Sequence, residues 1–235
     1  MLLTLLKGNY SMEQIFAQIL AVLMVVFLIL PFHEWAHAFT ASCLGDKGVK
    51  ARGRLSLNPL SHIDPIGAVM LLLIGFGWAK PVPINSRNFK NPKVGMAISA
   101  LAGPVSNLLA AIAAGLIQNG LIVLTVKGIL PQGPEIAGIT ILGYVLLFFE
   151  FLIMINIGLA VFNFLPIPPL DGSKILMAFL PNKAIRWIYE REHYISMILF
   201  AVVMMGGLNG ILNRADAVFY KFISWLTWLP YSALV

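Results

Sequence analysis

Runs of apolar residues dominate this chain, and their lengths limit the folds open to it. Met12 to Leu44, Val94 to Ile117, Ala137 to Phe164 and Tyr194 to Leu212 each reach or approach the roughly 20 residues that a helix needs to cross a bilayer. Lipid offers no hydrogen-bond partners, so a spanning segment must satisfy its own backbone, and a helix does so within one segment. The chain is 59% hydrophobic and 11% charged, where an ordinary globular chain is roughly a quarter charged. A soluble monomer of this size has too little interior to hide that much apolar surface. The expected fold is an all-α polytopic membrane protein.

Interruptions in the runs divide it further. Met12 to Leu44 is too long for one straight crossing, and Pro31 predicts a kink. Lys7 followed by the apolar stretch Ile15 to Leu30 has the look of a leader, but no small-residue cleavage site follows, so this stretch is read as a retained helix. Alternation over Val49 to Leu57 predicts a short interfacial strand or hairpin. The run Ile66 to Trp78 is short for a crossing and predicts a re-entrant or interfacial element. Pro81, Pro83 and Pro92 exclude continuous helix between the runs. Small residues such as Gly95, Ala102 and Gly103 let neighbouring backbones approach the second run closely. Ala217 to Leu229 is either a fifth span or an interfacial helix.

The formal net charge of +6 raises nucleic-acid binding, but the cations form no stripe interleaved with stacking aromatics. They follow the positive-inside pattern instead. Residues 45–65 and 80–93 hold four Lys or Arg each and 183–193 hold three, against one in 118–136. The first three segments are therefore expected in the cytoplasm. With Cys43 as the one cysteine, no intrachain disulfide forms.

The chemistry-bearing residues begin with His33-Glu34-Trp35-Ala36-His37. Histidines four apart share a helix face and can hold one Zn²⁺, and Glu34 beside the first can take a proton from a water held at the metal. Ionisable groups in an apolar helix are costly unless they pair, bind metal or face water. A catalytic zinc needs a third protein ligand. Glu150 and Asp171 are the main later carboxylates in or beside an apolar run. Asp171, rigidly placed between Pro168-Pro169-Leu170 and Gly172 on the side where His37 emerges, is either that ligand or the N-cap of a following helix. Asn163 ends an apolar run and either caps it or supplies an oxyanion donor. Asn107 bonds either a neighbouring helix or an extended substrate backbone. His62 and Asp64 read as loop-bonding residues, and His193 as solvated.

The pair H-E-x-x-H and Asn163-Phe164-Leu165-Pro166-Ile167-Pro168-Pro169-Leu170-Asp171-Gly172 resembles the site-2 protease family of intramembrane metalloproteases. Leu57-Asn58-Pro59-Leu60, His62 to Gly67, Gly77 to Pro83 and Ala102 to Asn107 are similar to that family's short forms. The resemblance covers residues 20–180. It implies one zinc per chain, held by His33, His37 and Asp171, with Glu34 as general base and Asn163 assisting at the scissile carbonyl. Its implied partners are membrane-protein substrates with a transmembrane helix. No nucleic-acid role is expected.

The sequence is thus read as one integral-membrane metalloprotease domain over 1–235. A three-helix catalytic core over 12–180 would be followed by C-terminal helices over 194–229, with neither a peptide-binding nor a nucleotide-sensing insert. The expected setting is a bacterial or archaeal cell membrane, with the active site toward the cytoplasmic leaflet. A catalytically silent scaffold and a metal carrier are the rival readings. Ionisable groups concentrated at one site favour an enzyme over a carrier.

Overall fold

A computed structural model describes residues 12–74, 77–136 and 139–234. Lys7 and the expected start of the third run at Ala137 lie outside them. The first apolar run forms α1 (Met12–Met24), a π-helical turn (Val25–Ile29) and α2 (Leu30–Cys43). The π turn has a local cause. Pro31 has no N–H for the carbonyl one turn back, and the ladder widens just before it, with Leu30 N–H donating to Val25 O five residues earlier. At Pro31, where a kink was expected, the structure shows this π turn within one continuous span, immediately ahead of the histidines.

The second run is α5 (Pro92–Val126), reached after α3 (Gly48–Ala51) and α4 (Pro65–Ile74). Asn91 caps α5, its side chain accepting from Val94 N, and Pro92 fills the first turn. The third run is α6 (Ile141–Phe164), preceded by the two-residue strands β1 (Glu135–Ile136) and β2 (Ile139–Thr140), and followed by α7 (Asp171–Met177). Among the described residues three helices are long and apolar enough to cross a membrane, Gln18–Cys43, Pro92–Val126 and Ile141–Phe164, or four if the bent pair over 182–231 is one span. Helix α5 is central and packs on α2, α6 and α7. Val22, Val25 and Ile29 meet Ala111, Ile153 and Ile157 in the main core.

Two expectations are corrected. Residues 49–57 form no strand. Val49 is buried at the end of a small cluster with Ala38, Ala41 and Phe89, and the chain there is the short helix α3. Gly53 at φ +70° ends it, with Gly53 N donating to Lys50 O and Arg54 N to Val49 O. That is the glycine-terminated helix end, which an alternation count overlooks. The fourth run, expected over 194–212, is likewise not one helix. It lies in α8 (Asn182–Met204) and α9 (Asn209–Trp228), which are bent 80° apart. Gly206 at φ +74° breaks it, with Gly206 N on Val203 O and Gly207 N on Val202 O. The segment 217–229 belongs largely to α9.

Helix α9 docks on α5 and α6 through polar bonds. Tyr220 Oη donates to Glu150 Oε1 at 2.7 Å, and Gln118 Nε2 donates to Glu150 Oε2 at 3.2 Å. Asn119 Nδ2 reaches Thr227 Oγ1 at 3.0 Å. Glu150 is therefore an interhelical staple, consistent with the cost of an unpaired carboxylate among apolar helices. The described part of the short run at 66–78 lies in α4, and an isolated antiparallel bridge between Ile63 and Ala79 brings the flanks of the run together.

Candidate metal centre

His33 and His37 sit one turn apart on α2, and both are buried. Their Nε2 atoms are 3.0 Å apart. Asp171 Oδ2 lies 3.3 Å from His33 Nε2 and 3.1 Å from His37 Nε2. Three ligands at about 2.0–2.1 Å from a tetrahedral zinc stand about 3.3–3.4 Å from one another, so this triangle is close to the size that the ion requires.

The protonation pattern fits as well. His33 Nδ1 is 2.9 Å from Asn107 Oδ1, and His37 Nδ1 is 2.7 Å from Ser99 O. Both partners are placed as acceptors, which favours the tautomer with the proton on each Nδ1 and a lone pair on each Nε2. Two lone pairs and a carboxylate oxygen in mutual contact repel unless a cation joins them. Among the described residues, His33, His37 and Asp171 are the group of this kind that could hold a metal ion.

Asp171 reaches the imidazoles from the other side of the fold. Helix α6 stops at Phe164, and the proline-rich loop turns into α7, whose N-cap is Leu170. The side chain of Asp171 makes no capping bond. A Cβ on Gly172 would stand 2.3 Å from Phe164 O and 2.4 Å from Leu165 O, so only glycine lets α7 start against the end of α6. Lys174 Nζ holds the second carboxylate oxygen, Asp171 Oδ1, at 3.1 Å, which leaves Oδ2 toward the imidazoles.

Helix α5 closes the third side. Pro104 has no N–H for the Ala100 carbonyl, next along the chain to Ser99, whose carbonyl receives His37. Asn107 is wholly buried one turn beyond Gly103. Sequence left Asn107 open between an interhelical bond and a substrate contact, and the structure places it on His33. Replacing Asn107 by Leu should weaken zinc binding by about 10–100-fold, the usual cost of losing the partner that orients a ligating imidazole. Competition titration with a chelator measures this.

Glu34 is half-buried and points to the same space. Its Oε2 accepts from Val82 N at 3.0 Å. Val82 belongs to the extended segment 79–85, where Pro81 and Pro83 hold the backbone open. The segment is pinned at its far end by Asp46, which is fully buried. Asp46 Oδ2 accepts from Asn85 N at 2.7 Å, and Oδ1 accepts from Asn88 Nδ2 at 2.7 Å and Gly48 N at 3.1 Å. Burial alone would push the Asp46 carboxyl up. Those hydrogen bonds and nearby Arg52 outweigh it and hold the group below its ordinary value. No motif flagged Asp46. Its one signal in the sequence is an acid placed directly after the histidine helix.

The triangle opens on a cavity of about 840 Å³, within the range of ligand-binding clefts. Glu34, Asn163 and Val82 line it together with the three clustered residues. Asn163 donates through Nδ2 to Leu159 O at 2.9 Å, which leaves its second amide proton free of that bond. Glu150 takes its place away from this space, on Tyr220 and Gln118.

Membrane-length helices enclosing two imidazoles, a carboxylate and a neighbouring glutamate define the class: a membrane-embedded metallopeptidase. Residues 139–207 match the model of peptidase family M50. Over 214 residues the chain is 34% identical to YwhC of Bacillus subtilis (strain 168), which carries a zinc metalloprotease's name, covering 85% of this chain and 94% of that one. Rip2 of Mycolicibacterium smegmatis, also named among the zinc metalloproteases, is 29% identical over 187 residues, covering 77% of this chain and 65% of Rip2. No solved structure matches. The chain belongs to peptidase family M50, the site-2 protease family that its motifs resemble, and it is an intramembrane zinc metalloprotease.

Proposed function

We propose that this protein hydrolyses peptide bonds in or beside the transmembrane segments of other membrane proteins. In this reading His33, His37 and Asp171 hold one zinc per chain and Glu34 is the general base. The observation that carries the reading is the triangle of two imidazole Nε2 atoms and a carboxylate oxygen, within 3.3 Å of one another, on the wall of a cavity that Glu34 also lines. Bound there, zinc supplies Lewis acidity, which acidifies water and polarises a peptide carbonyl. Glu34 accepts the proton as water adds to the carbonyl carbon, and returns it to the nitrogen of the leaving amine. Val82 N–H keeps the Glu34 carboxylate aimed while it does so.

Asn163 is proposed to donate its free amide proton to the developing oxyanion. Losing one such donor typically costs about 10²–10³ in rate. Asn163→Ala should show that loss with zinc content unchanged, and wild-type turnover would return Asn163 to a capping role.

A helical peptide hides its carbonyls in its own hydrogen bonds, so the substrate must unwind before it is cut. Segment 79–85 borders the cavity, but Pro81 and Pro83 lack an N–H and those of Lys80, Val82 and Asn85 are already bonded, so what it offers an unwound substrate strand is chiefly carbonyl acceptors. The whole chain is read as one integral-membrane domain, with the C-terminal helices walling the same cavity as the core.

The setting proposed is a bacterial or archaeal cell membrane with the metal toward the cytoplasmic leaflet, from the Lys and Arg bias. Cysteine labelling in a Cys43→Ser background should find 45–65 accessible from the cytoplasm and 127–136 from the opposite face. The reverse pattern would move the site to the other leaflet. The reaction itself is tested by cleavage of a model transmembrane substrate by wild type and Glu34→Gln.

A further inference from the structure

The C-terminal helix α9 contributes a polar stripe to the metal cavity that the catalytic reading does not use. Asn209, Asn213 and Asp216 are spaced four and three residues apart, which puts them on one face of the helix, and all three line the cavity. Asp216 Oδ1 is buried and has no hydrogen-bond partner. The other carboxylates of the cavity are committed. Glu34 Oε2 takes Val82 N–H, and Asp171 takes the two imidazoles and Lys174. Lys174, the one cation among the lining residues, is engaged there. Among the described residues no ion pair includes Asp216.

We infer that Asp216, flanked by Asn213 and Asn209, is a specificity residue that receives a lysine or arginine side chain of the substrate. A carboxylate oxygen shielded from water is best satisfied by a charged donor. The amides beside it add donors and acceptors to orient that group. The proposed substrates carry such cations in the right place. Lys and Arg concentrate just beyond the cytoplasmic ends of membrane spans, and the metal is assigned to that leaflet. A span drawn into the cavity end-first would bring its flanking cation to α9 as its unwound backbone reaches the zinc. The inference rests on the proposed reaction for the identity of the occupant, and its test separates the two.

The full chain carrying Glu34→Gln, purified in detergent, is titrated with two fluorescent peptides. Each is a single apolar span, flanked in one case by lysines and in the other by glutamines at the same positions. The expected result is binding of the lysine peptide about fivefold tighter, as one charge pair with a half-buried carboxylate allows. Adding Asp216→Asn should abolish that preference while leaving zinc content and glutamine-peptide binding unchanged. Asp216→Lys should reverse it toward a glutamate-flanked peptide. A lysine preference that survives Asp216→Asn, or no preference at the outset, overturns the inference. Asp216→Glu, which keeps the charge, should retain the preference, so loss in the asparagine variant alone is not a folding defect. Cleavage is scored separately with Glu34 intact. Failure to cut either peptide counts against the proposed reaction, and the binding preference still decides the role of Asp216.

Discussion

Glu34→Gln protein should keep its zinc and lose nearly all hydrolysis. The amide is close in size to the carboxylate, and its oxygen can still accept from Val82 N–H, the contact that Glu34 Oε2 makes at 3.0 Å. The local fold therefore has no reason to change. What the amide cannot do near neutral pH is take a proton from water. A positioned general base contributes about 10²–10⁴ in rate, and the fall should be at least that large. Zinc should stay near one per chain by elemental analysis, because Glu34 is outside the ligand triangle. The outcome separates the rival readings. A scaffold has no proteolysis to lose, and a carrier would still move metal. A Glu34→Gln protein that retains zinc and cuts a transmembrane substrate at the wild-type rate would refute the mechanism and leave the family assignment standing.

Gly103→Ala should weaken the metal site without altering any ligand. A Cβ built on Gly103 stands 2.4 Å from His37 Nε2 and 2.5 Å from His33 Nε2, well inside contact distance. The rings have little freedom to yield, since Asn107 and Ser99 O hold their Nδ1 atoms. Either α5 retreats or an imidazole leaves its bond, and both open the triangle. The helix itself should tolerate the change, because alanine is the better helix former by about 1 kcal/mol. Zinc affinity should fall by at least the roughly 10–100-fold that loss of an orienting partner costs, with helical circular dichroism unchanged. A wild-type zinc affinity in Gly103→Ala, by chelator competition, would show that α5 does not close the site in this way.

Much of the fold was legible because lipid leaves a long apolar segment few choices. The three spans follow from run length, although the second stays helical to Val126, past the end expected at Ile117, and the π turn sits where Pro31 predicts trouble. Two other errors share one cause. Gly53 and Gly206 each end a helix through a left-handed residue, a local backbone event inside a stretch whose apolar pattern continues unbroken. Pattern counting therefore read a strand over 49–57 and one helix over 194–212.

The site divides along a similar line. His33, Glu34 and His37 announce themselves because four residues make one helical turn, so their common face is a local fact. The sequence by itself also determined that Asp171 is held rigidly between prolines and a glycine. It left open what Asp171 faces, whether Asn107 meets a helix or a substrate, and what Glu150 pairs with. Tertiary structure decided these: Asp171 Oδ2 beside both imidazoles, Asn107 behind His33, and Tyr220 on Glu150. It also showed that Gly103, one small residue among many in its run, is the point where α5 meets the histidines. The physical reason is that spacing along a helix is fixed by the backbone's own hydrogen bonds. Which helix faces lie against one another is set by packing between segments scores of residues apart, and no local pattern encodes it.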